Sequence, residues 1–132
     1  MAQTRAAAIK RISDDLGLPA GDRFTQDWEY ELPEEFRTSA WLQRFIDAYS
    51  DRGYGPTAKQ VLMTLLLDCL NDGIEAGDEQ IERLWDDVAP LLSSDRDIHS
   101  SLIEHWSLPG EHLDDAFALT ARIRNLLGPL KA

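Results

Sequence analysis

Apolar residues recur at helical spacing along most of the chain. The clearest stripe follows Ser39, a residue that favours the N-cap of a helix, and it consists of Trp41, Leu42, Phe45, Ile46 and Tyr49. A helix with such a stripe buries one face against a core. Similar patterns predict further helices over residues 4–16, 57–73, 78–88, 94–106 and 111–127.

Residues that start or stop helices divide these patterns. Asp78 is a favourable N-cap, and Ser94 with Asp97 three residues later resembles an acidic capping box. Gly73 should close the most apolar helix, because glycine is common just past a helix end. Pro90 should kink or end its helix within the preceding turn, because proline lacks a backbone N–H and clashes with that turn.

The stretch "DWEYELPEEF" departs from the helical pattern. Trp28, Tyr30 and Leu32 alternate with acids over about six residues before Pro33, which is typical of a strand. No second strand pattern is present to pair with it. We therefore expect an extended segment near residues 26–33 that packs on helices through its aromatic side chains. A short strand paired across a homodimer is the alternative.

These elements predict an all-α fold, a compact single-domain bundle of about five to six helices over residues 1–132. A chain of 132 residues suits one domain and can fold without a metal or disulfide. The single cysteine, Cys69, lies in an apolar run, so we expect it to be buried, in a reducing compartment. No secretory signal and no membrane span are recognisable, and we expect a cytoplasmic protein.

The formal net charge of −11 is concentrated in two blocks. Residues 14–35 contain eight acids and one arginine, and residues 68–97 contain ten acids and two arginines. A surface of this sign repels phosphate backbones and anionic membranes, so neither nucleic acid nor a membrane is an expected partner. It attracts basic proteins. The simpler alternative is that the charge serves only solubility.

The second block contains the most regular acidic face. On a helix, Glu79, Glu82 and Asp86 repeat at i, i+3 and i+7, with Asp87 at the edge and only Arg83 to balance them. Like charges at this spacing cost roughly a few tenths of a kcal/mol per pair. We interpret this face as a surface that binds a basic partner protein.

A second acidic patch is predicted beside the aromatic residues of the irregular segment. Its acids are Glu31, Glu34 and Glu35. Trp28 is a candidate anchor for a partner there, because tryptophan surrounded by polar residues is common at the centre of interfaces. The alternative for Trp28 is packing inside the protein.

Catalytic chemistry has little support in the sequence. The glycine-rich phosphate loop, the paired-cysteine and HExxH metal motifs and the nucleophile elbow are all missing. We therefore expect no enzyme activity and no cofactor. A small metal-dependent enzyme that uses Asp95, Asp97 and His99 is a weaker alternative, since these acids also suit the positive end of a helix.

Six stretches between residues 27 and 127 follow one another in the order "DWEYEL", "WLQRFIDAY", "VLMTLLLDCLND", "LWDDVAPLL", "IHSSLIEHWS" and "FALTARIRNLL". In this order they resemble a group of small acidic bacterial proteins associated with toxin immunity. The resemblance implies an all-helical, non-catalytic protein that blocks a cognate toxin by binding it. It implies no particular functional residues.

The charge pattern and the resemblance together predict a cytoplasmic binding or inhibitor protein, monomeric or homodimeric. Its expected partner is a basic protein such as a nuclease toxin, whose active site it would occlude through an acidic surface. The alternative is a regulatory or adaptor protein, or a homo-oligomeric interaction protein.

Overall fold

The computed structural model describes residues 4–19, 28–108 and 116–127. Every regular element within these ranges is helical, and six of the helices have eight or more residues, so the predicted all-α fold is confirmed. The elements are α1 (Arg5–Leu16), α2 (Trp28–Glu31), a 3₁₀ turn (Glu34–Phe36), α3 (Ser39–Asp51), α4 (Pro56–Glu75), α5 (Glu79–Arg83), α6 (Trp85–Ser94), α7 (Ser100–Ser107) and α8 (Thr120–Leu127).

The chain divides into two compact units, residues 1–69 and residues 70–132. The boundary between them falls inside α4. The first unit contains α1, α2, α3 and most of α4, and the second contains the end of α4 with α5 to α8. The organisation of residues 1–132 as a single domain stays a prediction.

Helix α1 begins and ends where its capping residues predict. The Thr4 hydroxyl accepts a hydrogen bond from the Ala7 N–H at 3.1 Å, which satisfies one of the free donors of the first turn. Gly17 ends the helix in the left-handed conformation, with φ of 73°. The buried face includes Ile9, Ile12 and Leu16, which recur at helical spacing.

The N-cap of α3 lies one residue earlier than predicted. Thr38 has an extended backbone, and its hydroxyl accepts from the Trp41 N–H at 3.4 Å. Ser39 is therefore the first helical residue. Both residue types cap helices well, so the choice depends on which backbone is extended. Four residues of the apolar stripe are buried as predicted, namely Leu42, Phe45, Ile46 and Tyr49, whereas Trp41 is only half-buried.

The prediction of an extended segment near residues 26–33 is wrong for its described part. Residues 28–31 form α2, a single helical turn. Trp28 and Leu32 are both buried whereas Tyr30 is 46% exposed, so the segment buries positions i and i+4 rather than every second residue. A short amphipathic stretch is compatible with the period of a strand and with that of a helix. Here the burial of two apolar side chains on one side of a turn corresponds to the helical period.

Helix α4 is buried around most of its circumference, as its sequence predicts, but it does not end at Gly73. A Cβ atom at Gly73 would lie 2.2 Å from Ile81 Cγ2, so this glycine permits a close approach of α5. Gly77, with φ of 75°, follows the true end of the helix. Although α4 has 20 residues, neither it nor any other helix in the described ranges is long and apolar enough to cross a membrane.

The helix predicted from residue 78 is interrupted earlier than expected. Asp78 caps α5 as predicted, since its carboxylate accepts from the N–H groups of Gln80 and Ile81 at 3.0 and 3.2 Å. The interruption falls at Leu84, whose N–H bonds to the Ile81 carbonyl at 3.0 Å in 3₁₀ fashion. Pro90 lies inside α6. Proline has no backbone N–H, so it cannot donate a hydrogen bond to the carbonyl one turn before it. The interruption of the helix lies further upstream, at Leu84.

The predicted capping box at Ser94 and Asp97 is also wrong. Helix α6 includes Ser94, because the Asp95 N–H still bonds to the Leu91 carbonyl at 3.1 Å. Residues 95–99 form turns in which the Asp95 carbonyl accepts from the N–H groups of Ile98 and His99. Helix α7 begins only at Ser100, one turn later than the capping pattern indicates.

The described part of the last helix is shorter than the prediction of residues 111–127. Residues 111–115 lie outside the described ranges, and residues 116–119 form a bend and a turn. Helix α8 starts at Thr120, next to Leu119, whose N–H donates to Asn71 Oδ1 at 3.0 Å. This side-chain acceptor on α4 holds the turn. Phe117, an apolar residue within the predicted helix, is 39% exposed.

Candidate functional site

The acids predicted to bind a partner lie on α5 and α6 of the second unit. Glu79, Asp86 and Asp87 are exposed, and Glu82 is half-buried. The Asp78 cap sets the start of α5, and the interruption at Leu84 sets the start of α6. The apolar face of the same segment is buried through Ile81, Leu84, Val88 and Leu92. The acids are therefore held on the outer side by the packing of the inner side.

A groove of about 460 Å³ lies between these acids. Its walls are formed by Glu79, Glu82, Arg83, Trp85, Asp86 and Arg122. The three acids predicted to share one helical face do share one surface, even though the helix is interrupted between Glu82 and Asp86. Asp87 is exposed on α6 but does not line the groove. We call this surface the acidic groove.

One cation of the acidic groove was missed by the sequence analysis. Arg122 of α8 forms an ion pair with the Glu82 carboxylate. The two residues are 40 positions apart, so no local pattern signals the contact. The side chains are 27% and 45% exposed, which leaves the pair partly in solvent. The expectation that only Arg83 balances this face is therefore wrong.

The other acids of this face have no such neighbour. Among the residues that the structure describes, no lysine or arginine forms an ion pair with Glu79, Asp86 or Asp87, although Arg83 lines the same groove. Each ionised carboxylate has two acceptor oxygens, and lysine and arginine side chains bind such oxygens.

Comparisons with family models, curated proteins and solved structures give no match to this chain. The resemblance to toxin-immunity proteins therefore stays a prediction. What the chain does must be inferred from its own residues and from the chemistry that they support.

The second predicted patch lies in the first unit. Glu31 ends α2, and Glu34 and Glu35 open the 3₁₀ turn, where the Phe36 N–H bonds to the Pro33 carbonyl at 3.0 Å. All three acids are exposed. They form an acidic connection between α2 and α3.

Trp28 does not serve as a surface anchor in this fold. Its side chain is only 3% exposed, and its indole N–H donates to the Pro19 carbonyl at 2.7 Å. A buried tryptophan usually satisfies its N–H in this way. The alternative of packing inside the protein is therefore the one that the structure favours. Tyr30, 46% exposed, is the aromatic residue that α2 presents outward.

The metal-enzyme alternative does not fit the structure. His99 is fully buried, whereas Asp97 is exposed. In residues 4–19, 28–108 and 116–127, which include all three candidate ligands, no group of three or more histidine, cysteine, aspartate or glutamate side chains is placed to hold a metal ion.

Two acids of the first unit are largely buried and pair with arginines from other parts of the chain. Glu29, 5% exposed, pairs with Arg5, and Asp68 pairs with Arg37, which also donates to the Glu29 carbonyl at 3.3 Å. A second set lies on the outer side of α1 and is formed by Asp14 with Lys10 and by Asp15 with Arg11 and Tyr54.

The hydroxyl of Tyr54 is a strongly perturbed titrating group of the first unit. It donates to Asp15 Oδ2 at 2.9 Å, and the residue is 4% exposed. Burial, together with this hydrogen bond, raises the pKa of Tyr54 to about 12. On the surface, the hydrogen bond and attraction to Asp14 raise the pKa of Lys10.

Proposed function

We propose that this chain is a non-catalytic protein of the cytoplasm that binds a basic partner protein through the acidic groove on α5 and α6. The observation that carries the proposal is the group of exposed carboxylates at Glu79, Asp86 and Asp87, which no cation of the described residues neutralises. Close carboxylates repel one another, and a bound cationic partner would relieve that repulsion.

The mechanism has a long-range step and a contact step. The net charge of −11 attracts a basic protein from a distance and orients it, which raises the association rate. At contact, lysine or arginine side chains bind the groove carboxylates. Trp85, half-buried in the same groove, offers an aromatic surface to their aliphatic stems and cationic heads.

Inhibition follows if the captured cations are those with which the partner holds phosphate groups. A carboxylate-lined groove would then occupy the positions of the phosphates and occlude the partner's active site. An immunity protein that neutralises a basic toxin, such as a nuclease, is the form of this proposal that the sequence resemblance favours. The partner-binding residues of the proposal are Glu79, Glu82, Asp86 and Asp87.

The test is a pull-down from the native host with three tagged proteins, eluted with a salt gradient and identified by mass spectrometry. The first protein is the unmodified chain. The second carries Glu79→Gln and Asp86→Asn in the groove. The third carries Glu75→Gln and Asp97→Asn, two exposed acids of the same unit that do not line the groove. The two variants have the same net charge.

A basic protein retained by the unmodified chain and by the Glu75/Asp97 variant, and lost from the groove variant, would support the proposal. Its release at moderate salt is expected because charge contributes much of the attraction. The same proteins retained by all three would show that the groove acids are ordinary solvated surface, and the proposal would be wrong.

A further inference from the structure

The acidic groove already contains one guanidinium, that of Arg122. It comes from α8, 40 positions from the glutamate that it binds. We propose that Arg122 is an internal competitor: it occupies Glu82 in the free protein, and an arginine of the partner replaces it on binding. This inference rests on the proposed function of the groove and concerns the regulation of its affinity.

The exposure of the pair makes such an exchange feasible. Arg122 is 27% exposed and Glu82 is 45% exposed, so water and other cations reach both groups. An ion pair in this setting contributes little to stability, because it is screened and because its side chains lose freedom when held. A second guanidinium can therefore take over Glu82 at small cost.

Arg83 provides a natural contrast in the same groove. It lines the groove and is exposed, but within the described part of the chain no acid forms an ion pair with it. Both arginines lower the negative potential of the groove by one charge. Only Arg122 also occupies one of the carboxylates of the groove. Removing Arg122 should therefore make the potential of the groove more negative and also free a carboxylate, whereas removing Arg83 should only make the potential more negative.

The chemistry of the exchange also selects the partner's side chain. A guanidinium is planar and can donate two parallel hydrogen bonds to a carboxylate, whereas an ammonium is a point charge. Arg122 donates one hydrogen bond to Glu82 Oε1. An incoming arginine can replace that bond and add a second parallel one, whereas a lysine can only replace it. The groove should therefore prefer a partner that presents arginine.

Calorimetric titration with a synthetic peptide of six arginines tests the inference at one low, fixed ionic strength. The decisive pair of variants is Arg122→Gln and Arg83→Gln, which remove the same charge from the same groove. We expect Arg122→Gln to bind the peptide about threefold more tightly than Arg83→Gln does, the factor expected for freeing an exposed carboxylate. Adding Glu82→Gln to each variant should abolish this difference.

A peptide of six lysines should show a smaller difference between the two variants. Equal affinities of Arg122→Gln and Arg83→Gln for the arginine peptide would overturn the inference. If Arg122→Gln does not fold, Arg122→Met replaces it in the comparison with Arg83→Gln, because methionine keeps most of the length of the side chain. Thermal melts of every variant establish that the folded protein is being titrated.

The same titration separates this inference from the proposed function. If the groove variant with Glu79→Gln and Asp86→Asn binds the arginine peptide as well as the Glu75/Asp97 control, the groove is not the binding site and both proposals fail. If the groove variant loses affinity while Arg122→Gln and Arg83→Gln remain equal, the groove binds cations and only the exchange of Arg122 is refuted.

Discussion

Acidic residues have different roles in the first unit and on α5 and α6 of the second. In the first unit, Glu29 and Asp68 are largely buried and pair with arginines from other parts of the chain. On α5 and α6, Glu79 and Asp86 are exposed and have no ion-pair partner in the described ranges. The first kind holds helices together. The second kind adds repulsion and becomes favourable only with an external cation.

The difference shows why an acidic stretch cannot be assigned a role from composition alone. Glu29 lies in the same acidic block as Glu34 and Glu35, yet it is buried and they are exposed. Its arginine is 24 positions away, and that of Asp68 is 31 positions away. A carboxylate is structural when folding buries it beside a cation, and it is available for binding when it stays exposed to solvent.

The largest expected effect on stability comes from removing the cation of a largely buried ion pair. Arg37→Met would remove the guanidinium that pairs with Asp68, whose side chain is 18% exposed, and that donates to the Glu29 carbonyl. We expect the free energy of unfolding to fall by about 2–3 kcal/mol, since losing the cation of a largely buried ion pair is costly. Urea denaturation measures this quantity.

Arg122→Met is the matched control for that substitution. It removes the cation of the Glu82 pair, which is far more exposed, and the expected loss is below about 1 kcal/mol. Equal losses for the two substitutions would mean that burial does not separate structural pairs from exchangeable ones in this protein.

The second prediction concerns alkaline pH. The pKa of Tyr54 is raised from 10.0 to about 12 by burial and by its bond to Asp15, so the neutral form is favoured in the folded state. Below pH 10 both states hold the proton and its contribution is complete. Between pH 10 and 12 the unfolded chain loses the proton first, and stability falls as pH rises.

Tyr54→Phe isolates this contribution. Urea denaturation at several pH values above 9 should show a steeper fall of stability for the unmodified chain than for the variant, because lysine titration is common to both. Curves that stay parallel through this range would indicate that the hydroxyl of Tyr54 titrates normally in the folded protein.

The smallest expected effect is that of removing the groove acids themselves. Glu79→Gln with Asp86→Asn should leave the free energy of unfolding unchanged or raise it by roughly a few tenths of a kcal/mol, because only repulsion is lost. Denaturation beside the Glu75→Gln/Asp97→Asn control measures the difference. A marked loss of stability confined to the groove variant would assign these acids to the fold instead.

Much of the fold could be predicted because it depends on local spacing. The stripe of α3, the Thr4 cap of α1 and the Asp78 cap of α5 are set by residues within one or two turns. Gly73 could not be interpreted correctly, because its reason is the approach of Ile81 from the next helix. The start of α8 likewise depends on Asn71, which is 48 positions from Leu119.

The candidate site, like the fold, could be predicted only where it depends on local spacing. Helical spacing placed Glu79, Glu82 and Asp86 on one surface, and they line one groove. The partner of Glu82 could not be foreseen, because Arg122 reaches it only when α8 is in place. The sequence could not decide between the two roles of Trp28 for the same reason, since its burial depends on contacts that a short alternating pattern does not encode.

The most direct measurement of the central claim is the association rate of the captured partner as a function of ionic strength. The account predicts that the rate for the unmodified chain falls steeply as salt rises, and that Glu79→Gln with Asp86→Asn lowers the rate and flattens its salt dependence. The Glu75→Gln/Asp97→Asn control, of equal net charge, should stay close to the unmodified chain. A rate independent of salt, or equal effects of the two variants, would contradict the claim that the acidic groove binds a basic partner.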